Sequence, residues 1–217
     1  HLSIRRQRQM CIRDRGLPLP LAILVALSVG TLAGLFNGII ITRFKVPPLI
    51  ATLATLALYR GLAEGISQAR SIRGYPEWFF VLGQGEFFGI PTQLWIVAFF
   101  TLLTGFILTY TTWGRATYAI GANETAARFS GIAVDKTKLF IYAASGFAAS
   151  LAAIIFVSRV STTRSDMGMG LELDAITAVV LGGTSIFGGK GTIVGTFFGL
   201  ILIPVSYTHL TLPTNRE

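Results

Sequence analysis

Charged residues are scarce in this chain. Only 13% of its 217 residues are Asp, Glu, Lys or Arg, whereas 52% are hydrophobic and the mean hydropathy is +0.65. A soluble globular domain carries about 25% charged residues. The shortage of charge, together with apolar runs long enough to cross a bilayer, excludes an ordinary soluble domain and indicates an integral membrane protein.

Cysteine and histidine are almost absent. Cys11, His1 and His209 are the single cysteine and the two histidines, and all three lie near an end of the chain. Residues 16–205 therefore offer no disulfide, no Cys/His metal cluster and no histidine general acid or base. We predict no catalytic residue, no metal site and no cofactor.

The two ends of the chain, residues 1–15 and 206–217, lack the apolar pattern of the sequence between them. Both resemble translated sequencing-adapter read-through, and such segments are left out of fold reasoning. We expect them to be foreign to the protein and to share no core with it. Residues 16–205 are then predicted to be an internal fragment of a longer membrane protein.

A net charge of +8 is typical of nucleic-acid-binding proteins, but the distribution of the charge in this chain does not favour that class. Half of it comes from residues 1–15, where five arginines face one aspartate, and 16–205 keeps twelve basic and eight acidic residues. That modest excess suits a bilayer protein with basic cytoplasmic loops. We expect a lipid bilayer as its surroundings and no nucleic acid as partner.

Six apolar segments punctuate residues 16–205, namely 17–42, 49–65, 94–112, 139–158, 172–187 and 192–205. At 1.5 Å per residue, about 20 residues cross a hydrocarbon core of about 30 Å. We predict an all-α, polytopic membrane protein with about six membrane segments and no membrane-embedded sheet. The run 172–187 is short and starts with Glu172 and Asp174, so a broken or re-entrant helix fits it as well as a full span. Residues 66–93 and 113–138 are predicted loops, and the aromatic residues of the first suit the membrane surface.

Glycines recur every fourth residue at both ends of the membrane region, where they share a helix face. The sets are Gly30, Gly34 and Gly38, and Gly191, Gly195 and Gly199. This spacing occurs in helix dimers and in close packing of helices within one subunit. We favour packing within one subunit.

Residues 123–131 have the pattern of a short polar helix between two apolar segments. Asn123 can accept a hydrogen bond from a first-turn N–H, and Glu124 suits the positive end of the helix dipole. Arg128 lies toward the negative end, and Gly131 can adopt the left-handed conformation that stops a helix. A helix of under two turns is marginal by itself, so it must be held by its neighbours or by a partner. On physical grounds alone, a well-capped connector is an equally good explanation.

Two long, ungapped stretches resemble a known family. "GRATYAIGANETAARFSGIAVDKTKLFIYAASGFAASLAA", which starts at Gly114, is similar to the cytoplasmic coupling loop of permeases of bacterial ABC sugar importers of the ribose, rhamnose and autoinducer-2 type. "ELDAITAVVLGGTSIFGGKGTIVGT", residues 172–196, is similar to a second signature of that family. The resemblance extends from about Leu17 to Val205 and implies that 16–205 is a permease fragment, shorter than family members at both ends.

The resemblance implies a role and a set of partners. The helix at 123–130 would dock in a cleft of a separate ABC ATPase through Asn123, Glu124, Ala126, Ala127, Arg128 and Gly131. The other partners would be a second permease subunit, in a homo- or heterodimer, and a periplasmic or extracellular sugar-binding protein. The location would be the bacterial inner membrane. "TSIFGGKGT" misses two positions of the phosphate-loop pattern, so ATP hydrolysis is expected in another chain.

Two other classes remain open from the residues alone. An ion-coupled secondary transporter is the main alternative, although it would be expected to carry ion-binding carboxylates deep within its spans. An intramembrane enzyme fits less well because the core lacks histidine and paired mid-span aspartates. Asn37, Thr52, Thr55, Ser145 and Ser150 are candidates to line a sugar path, but such residues more often bond a neighbouring helix or their own backbone.

Overall fold

The computed structural model describes residues 19–68, 71–164 and 167–210, and helices dominate this part of the chain. The helices are α1 (Leu19–Arg43), α2 (Pro48–Ser67), α3 (Glu77–Gln84), α4 (Thr92–Tyr110), α5 (Thr112–Ala122), α6 (Glu124–Phe129), α7 (Val134–Val160), α8 (Leu171–Leu181) and α9 (Ile193–Leu210). Four two-residue strands, β1 (Ile72–Arg73), β2 (Glu86–Phe87), β3 (Ile90–Pro91) and β4 (Thr162–Thr163), form two antiparallel pairs, β1 with β4 and β2 with β3.

The predicted fold class, a helical polytopic membrane protein, is confirmed. Among the described residues, α1, α2, α4 and α7 are by length and composition able to cross a membrane. The two remaining predicted segments are shorter, because α8 has 11 residues and the apolar part of α9 covers Ile193–Ile203. Eleven residues rise about 16 Å, roughly half of a hydrocarbon core. The count of about six spans is therefore not confirmed.

The prediction of a loop over residues 66–93 was wrong in part, since this segment contains α3. Pro76 precedes the helix, Glu77 occupies its first turn, and Gly85 follows its end. Tertiary contacts hold α3 against the end of α7: Ser158 Oγ donates to the carbonyl oxygen of Phe79 at 2.6 Å. Phe79 is buried, so this aromatic residue packs within the protein and does not lie on a membrane surface.

The predicted loop 113–138 was also wrong in part, because most of it is helical. Thr111 caps α5 by accepting a hydrogen bond from the Gly114 N–H at 3.2 Å. Helix α7 begins at Val134, earlier than the predicted 139, because its polar first turn carries Asp135. Hydropathy alone places the start of a span at its first apolar residue and so misses such a turn.

The last helix continues beyond Val205 to Leu210, so the loss of apolar pattern at Ser206 does not end the helix. Residues 1–15 and 211–217 lie outside the described residues. The interpretation of both ends as foreign sequence stays a prediction.

The described chain divides into two compact units, one of residues up to 96 together with 138–167, and one of 97–137 together with the residues from 168 onward. In the first unit, α1 packs on α7 through glycines. A Cβ added to Gly34 would collide with the carbonyl oxygen of Tyr142 and lie 3.1 Å from the Cα of Gly146. A Cβ added to Gly30 would lie 2.5 Å from the Cβ of Ser150, and one added to Gly38 would lie 3.0 Å from Cδ1 of Leu139.

In the second unit, α9 packs on α8 in the same way. A Cβ on Gly195 would collide with the carbonyl oxygen of Gly182, and one on Gly199 would collide with that of Ala178. Gly191 precedes α9, and a Cβ there would lie 2.8 Å from the side chain of Thr184. Gly195 and Gly199 thus lie at a helix–helix contact, whereas Gly191 contacts a loop.

Replacing Gly34 by alanine should destabilise the protein by about 1–3 kcal/mol, because the added methyl group pushes the backbones of α1 and α7 apart. Gly65→Ala in α2 is the matched control, since a Cβ there meets nothing within 4 Å. Alanine has the higher helix propensity, so the control should be neutral or stabilising by up to about 1 kcal/mol. Thermal unfolding of both variants in detergent, followed by size-exclusion chromatography, tests this. Equal stability of the two variants would contradict the packing role.

Candidate functional site

Helix α6 has well-defined ends. Asn123 Oδ1 accepts a hydrogen bond from the Ala126 N–H at 3.0 Å, and Glu124 occupies the first turn. Beyond the helix, Gly131 has a φ of 81°, and its N–H donates to the carbonyl oxygen of Arg128 at 3.1 Å. The Ile132 N–H donates to the carbonyl oxygen of Ala127 at 3.1 Å. Cap and stop lie at the predicted residues, and together they satisfy backbone groups that a six-residue helix would otherwise leave open.

The two alanines of α6 lie on different faces of the helix. Ala127 is 4% exposed and packs within this chain, whereas Ala126 is exposed. The side chain of Ala127 is therefore not on the free face, where it was predicted to dock. Phe129 is 88% exposed, and the sequence prediction omitted it. The free face of α6, meaning the exposed side opposite Ala127, carries Glu124, Thr125, Ala126, Arg128 and Phe129.

An ion pair ties α6 to the first turn of α7. The Arg128 guanidinium donates to both carboxylate oxygens of Asp135, at 2.8 and 2.7 Å. It also lies 3.4 Å from Glu124 Oε1, one helical turn back. The hydrogen bond to Asp135 and the charge of Asp135 raise the pKa of the Arg128 guanidinium. Exposed ion pairs contribute little to the free energy of unfolding. A bidentate contact between an arginine and a carboxylate nevertheless fixes the orientation of the two groups.

A glycine-rich loop, residues 182–192 and called here the glycine loop, lies beside the end of α5. A Cβ added to Gly189 would lie 2.8 Å from the Cα of Ala122, and one added to Gly188 would lie 2.8 Å from the carbonyl oxygen of Gly121. Tyr118 Oη donates to the carbonyl oxygen of Gly191 at 2.9 Å. Ala122 immediately precedes Asn123, so the glycine loop adjoins the start of α6.

The hydroxyl groups predicted to line a solute path mostly bond the carbonyl groups of their own helix. Thr52 donates to Pro48 at 2.9 Å, Thr55 to Ala51 at 3.0 Å, and Ser150 to Phe147 at 2.8 Å. Asn37 differs, because its buried Oδ1 accepts no hydrogen bond. These contacts favour the backbone-bonding explanation for the three hydroxyl groups.

The fold and hydropathy thus define a multi-pass helical membrane protein with a capped polar helix between two of its spans. Its sequence from residue 3 to residue 214 matches the family described as the permease component of branched-chain amino acid transport systems. The chain therefore belongs to this permease family, as the sequence resemblance implied. No solved structure matches the chain.

Curated relatives are permease subunits of importers. The chain is 43% identical over 191 residues to the ribose import permease protein of Haemophilus influenzae, covering 86% of this chain and 59% of the relative. It is 42% identical over 194 residues to that of Bacillus subtilis, covering 88% and 60%. It is 37% identical over 199 residues to the autoinducer 2 import system permease protein of an Enterobacter species, covering 92% and 58%. The chain thus spans less than two thirds of the length of these relatives.

The structure brings most of the predicted coupling residues together in one short segment. Asn123, Glu124, Ala126, Arg128 and Gly131 lie on or at the ends of α6. The prediction omitted Phe129 and Asp135. Phe129 could have been found because a phenylalanine in a polar, capped six-residue helix has little of its own chain to pack against. Asp135 could not, because its contact with Arg128 depends on the turn at residues 130–133.

Reversing the charge of Arg128 should loosen α6. In Arg128→Asp, three carboxylates come together at positions 124, 128 and 135, and their repulsion should raise hydrogen exchange at the α6 amides several-fold. Arg128→Asp with Asp135→Arg restores an opposite pair and should restore much of the protection. Arg115→Asp, at an exposed position of α5, is the charge-matched control. If the double variant exchanges as fast as the single one, the pair does not orient α6.

Proposed function

We propose that this chain is part of the membrane-spanning subunit of an ATP-driven importer and moves a sugar or a sugar-like solute across the bacterial inner membrane. The observation that carries the proposal is the match to permeases over most of this chain, at 37–43% identity to relatives that import ribose or autoinducer 2. The family description mentions branched-chain amino acids. The sugar class follows the relatives and is part of the proposal.

Helix α6 is the proposed site of coupling to a separate ATPase subunit. A docking helix must be rigid, exposed, and attached to a span that moves. The Asn123 cap and the Gly131 stop support rigidity, and the exposed Phe129 supports contact with another protein. The bond from Arg128 to Asp135 links α6 to α7, a continuous helix of 27 residues.

In this mechanism, ATP-driven closure of the ATPase displaces α6 and biases the permease between outward- and inward-facing states. A partner can shift such an equilibrium only by the difference in its affinity for the two states. The remaining proposed partners are a second permease subunit, which completes the solute path, and an extracytoplasmic binding protein, which delivers the solute.

Phe129→Ser in the full-length permease should weaken ATPase binding about tenfold or more and reduce ATP-driven uptake in vesicles, because an exposed aromatic residue is a typical interface anchor. The side chain is 88% exposed, so its loss should leave the permease folded. The measurements are affinity for the ATPase subunit encoded with the permease, and uptake of radiolabelled ribose.

Phe88→Ser is the matched control. Phe88 is 87% exposed and lies in the turn between β2 and β3. It precedes the span α4 in the chain, whereas Phe129 comes after that span. We expect this control to bind the ATPase normally. Normal binding and uptake by Phe129→Ser, or uptake driven by an ion gradient without ATP, would contradict the proposed function.

A further inference from the structure

The free face of α6 is too small to be a complete docking surface. Six residues rise about 9 Å along a helix. A stable protein–protein interface buries about 800 Å² on each partner and involves roughly 20–30 residues. An ATPase that binds α6 must therefore also contact neighbouring elements.

The glycine loop is the neighbour that adjoins the start of α6. The backbones of Gly188 and Gly189 lie against Gly121 and Ala122, so closely that a Cβ on either glycine would collide or nearly collide. Phe187 is bonded to Gly188, and Asn123 is bonded to Ala122. Consecutive Cα atoms are 3.8 Å apart, and the contact between Gly189 and Ala122 joins the two segments. The Cα atoms of Phe187 and Asn123 are therefore within about 16 Å of each other. Both elements thus fit beneath one interface of ordinary size.

The glycine loop presents two large apolar side chains. Ile186 is 77% exposed and Phe187 is 97% exposed. Single exposed apolar residues are common on any surface. Two consecutive ones at a loop tip form a larger apolar surface, and exposed apolar surface of this kind is typical of an interaction site.

The tip is held in a defined conformation by its own backbone. The Ser185 N–H donates to the carbonyl oxygen of Lys190 at 2.9 Å, and the Gly188 N–H donates to that of Ser185 at 3.1 Å. The Phe187 N–H donates to Ser185 Oγ at 3.2 Å. The φ values of Gly188 and Gly189 are 89° and 74°, in the region that favours glycine. A loop ordered in this way loses little entropy when it binds, which favours its use as a docking element.

We propose that Ile186 and Phe187, at the tip of the glycine loop, form a second docking element for the ATPase subunit, within the same interface as α6. This inference rests on the proposed function, because it assigns the same partner to a larger surface. A lipid surface is a weaker occupant, since the exposed groups of neighbouring α6 include the charged side chains of Glu124 and Arg128. Charged side chains are costly in the hydrocarbon core of a bilayer, whereas they are ordinary at the rim of a protein interface.

The first test compares ATPase binding by variants of the full-length permease in nanodiscs. Ile186→Ser with Phe187→Ser should raise the dissociation constant for the ATPase about tenfold or more, and Phe88→Ser should leave it unchanged. If Phe129→Ser weakens binding while the double loop variant binds normally, the second docking element is wrong and the proposed function stands. If neither variant changes binding, both are wrong.

The second test measures how accessible position 187 is to a labelling reagent with and without the ATPase. In a full-length permease whose own cysteines are replaced by serine, Phe187→Cys and Phe88→Cys are labelled with a water-soluble maleimide. The ATPase should slow labelling at position 187 and leave position 88 unchanged. Equal labelling rates with and without the ATPase would overturn the inference. So would slow labelling at position 187 without the ATPase combined with quenching by brominated lipid, since both indicate that the tip lies in the bilayer.

Discussion

The structure depends on close contact between backbones at glycines. In lipid there is no hydrophobic drive to bring two apolar helices together, so association relies on close van der Waals contact and hydrogen bonds. Gly34 lies against Gly146 where α1 meets α7, and Gly195 lies against Gly182 at the start of α9. Outside these helix pairs, Gly121 lies against Gly189 and holds the glycine loop beside α5. Close glycine contacts therefore pack helices together and also hold the glycine loop next to the start of α6.

Helix α6 shows how a marginal element becomes a defined one. Six residues cannot hold a helix in water, because the nucleation cost is spread over too few hydrogen bonds. Here the Asn123 cap, the turn at Gly131, the buried Ala127 and the ion pair to Asp135 each contribute a contact. Burial of Ala127 holds one face against the chain, and the opposite face is exposed.

Local signals in the sequence predicted the elements whose causes are local. The cap and stop of α6 were predictable because Asn123, Glu124 and Gly131 act within one turn of the helix end. Long apolar runs predicted α1, α2, α4 and α7, since length alone sets a span. Helix α3 was missed because contacts such as that from Ser158 to Phe79, 79 residues apart, hold it in place. The burial of Ala127 could not be predicted, because which alanine is buried depends on how the helix sits against the rest of its unit.

Hydroxyl groups of the spans are largely satisfied within their own helices. In α1 and α2, Thr31 donates to Leu27, Thr42 to Gly38, and Thr55 to Ala51. A hydroxyl that donates to its own helix keeps acceptor capacity but has no free hydrogen to offer a sugar. Tight binding requires that buried polar groups gain partners that they lacked before, whereas groups already satisfied gain little. The hydroxyl groups of these threonines thus have partners without water, as a polar group at membrane depth requires.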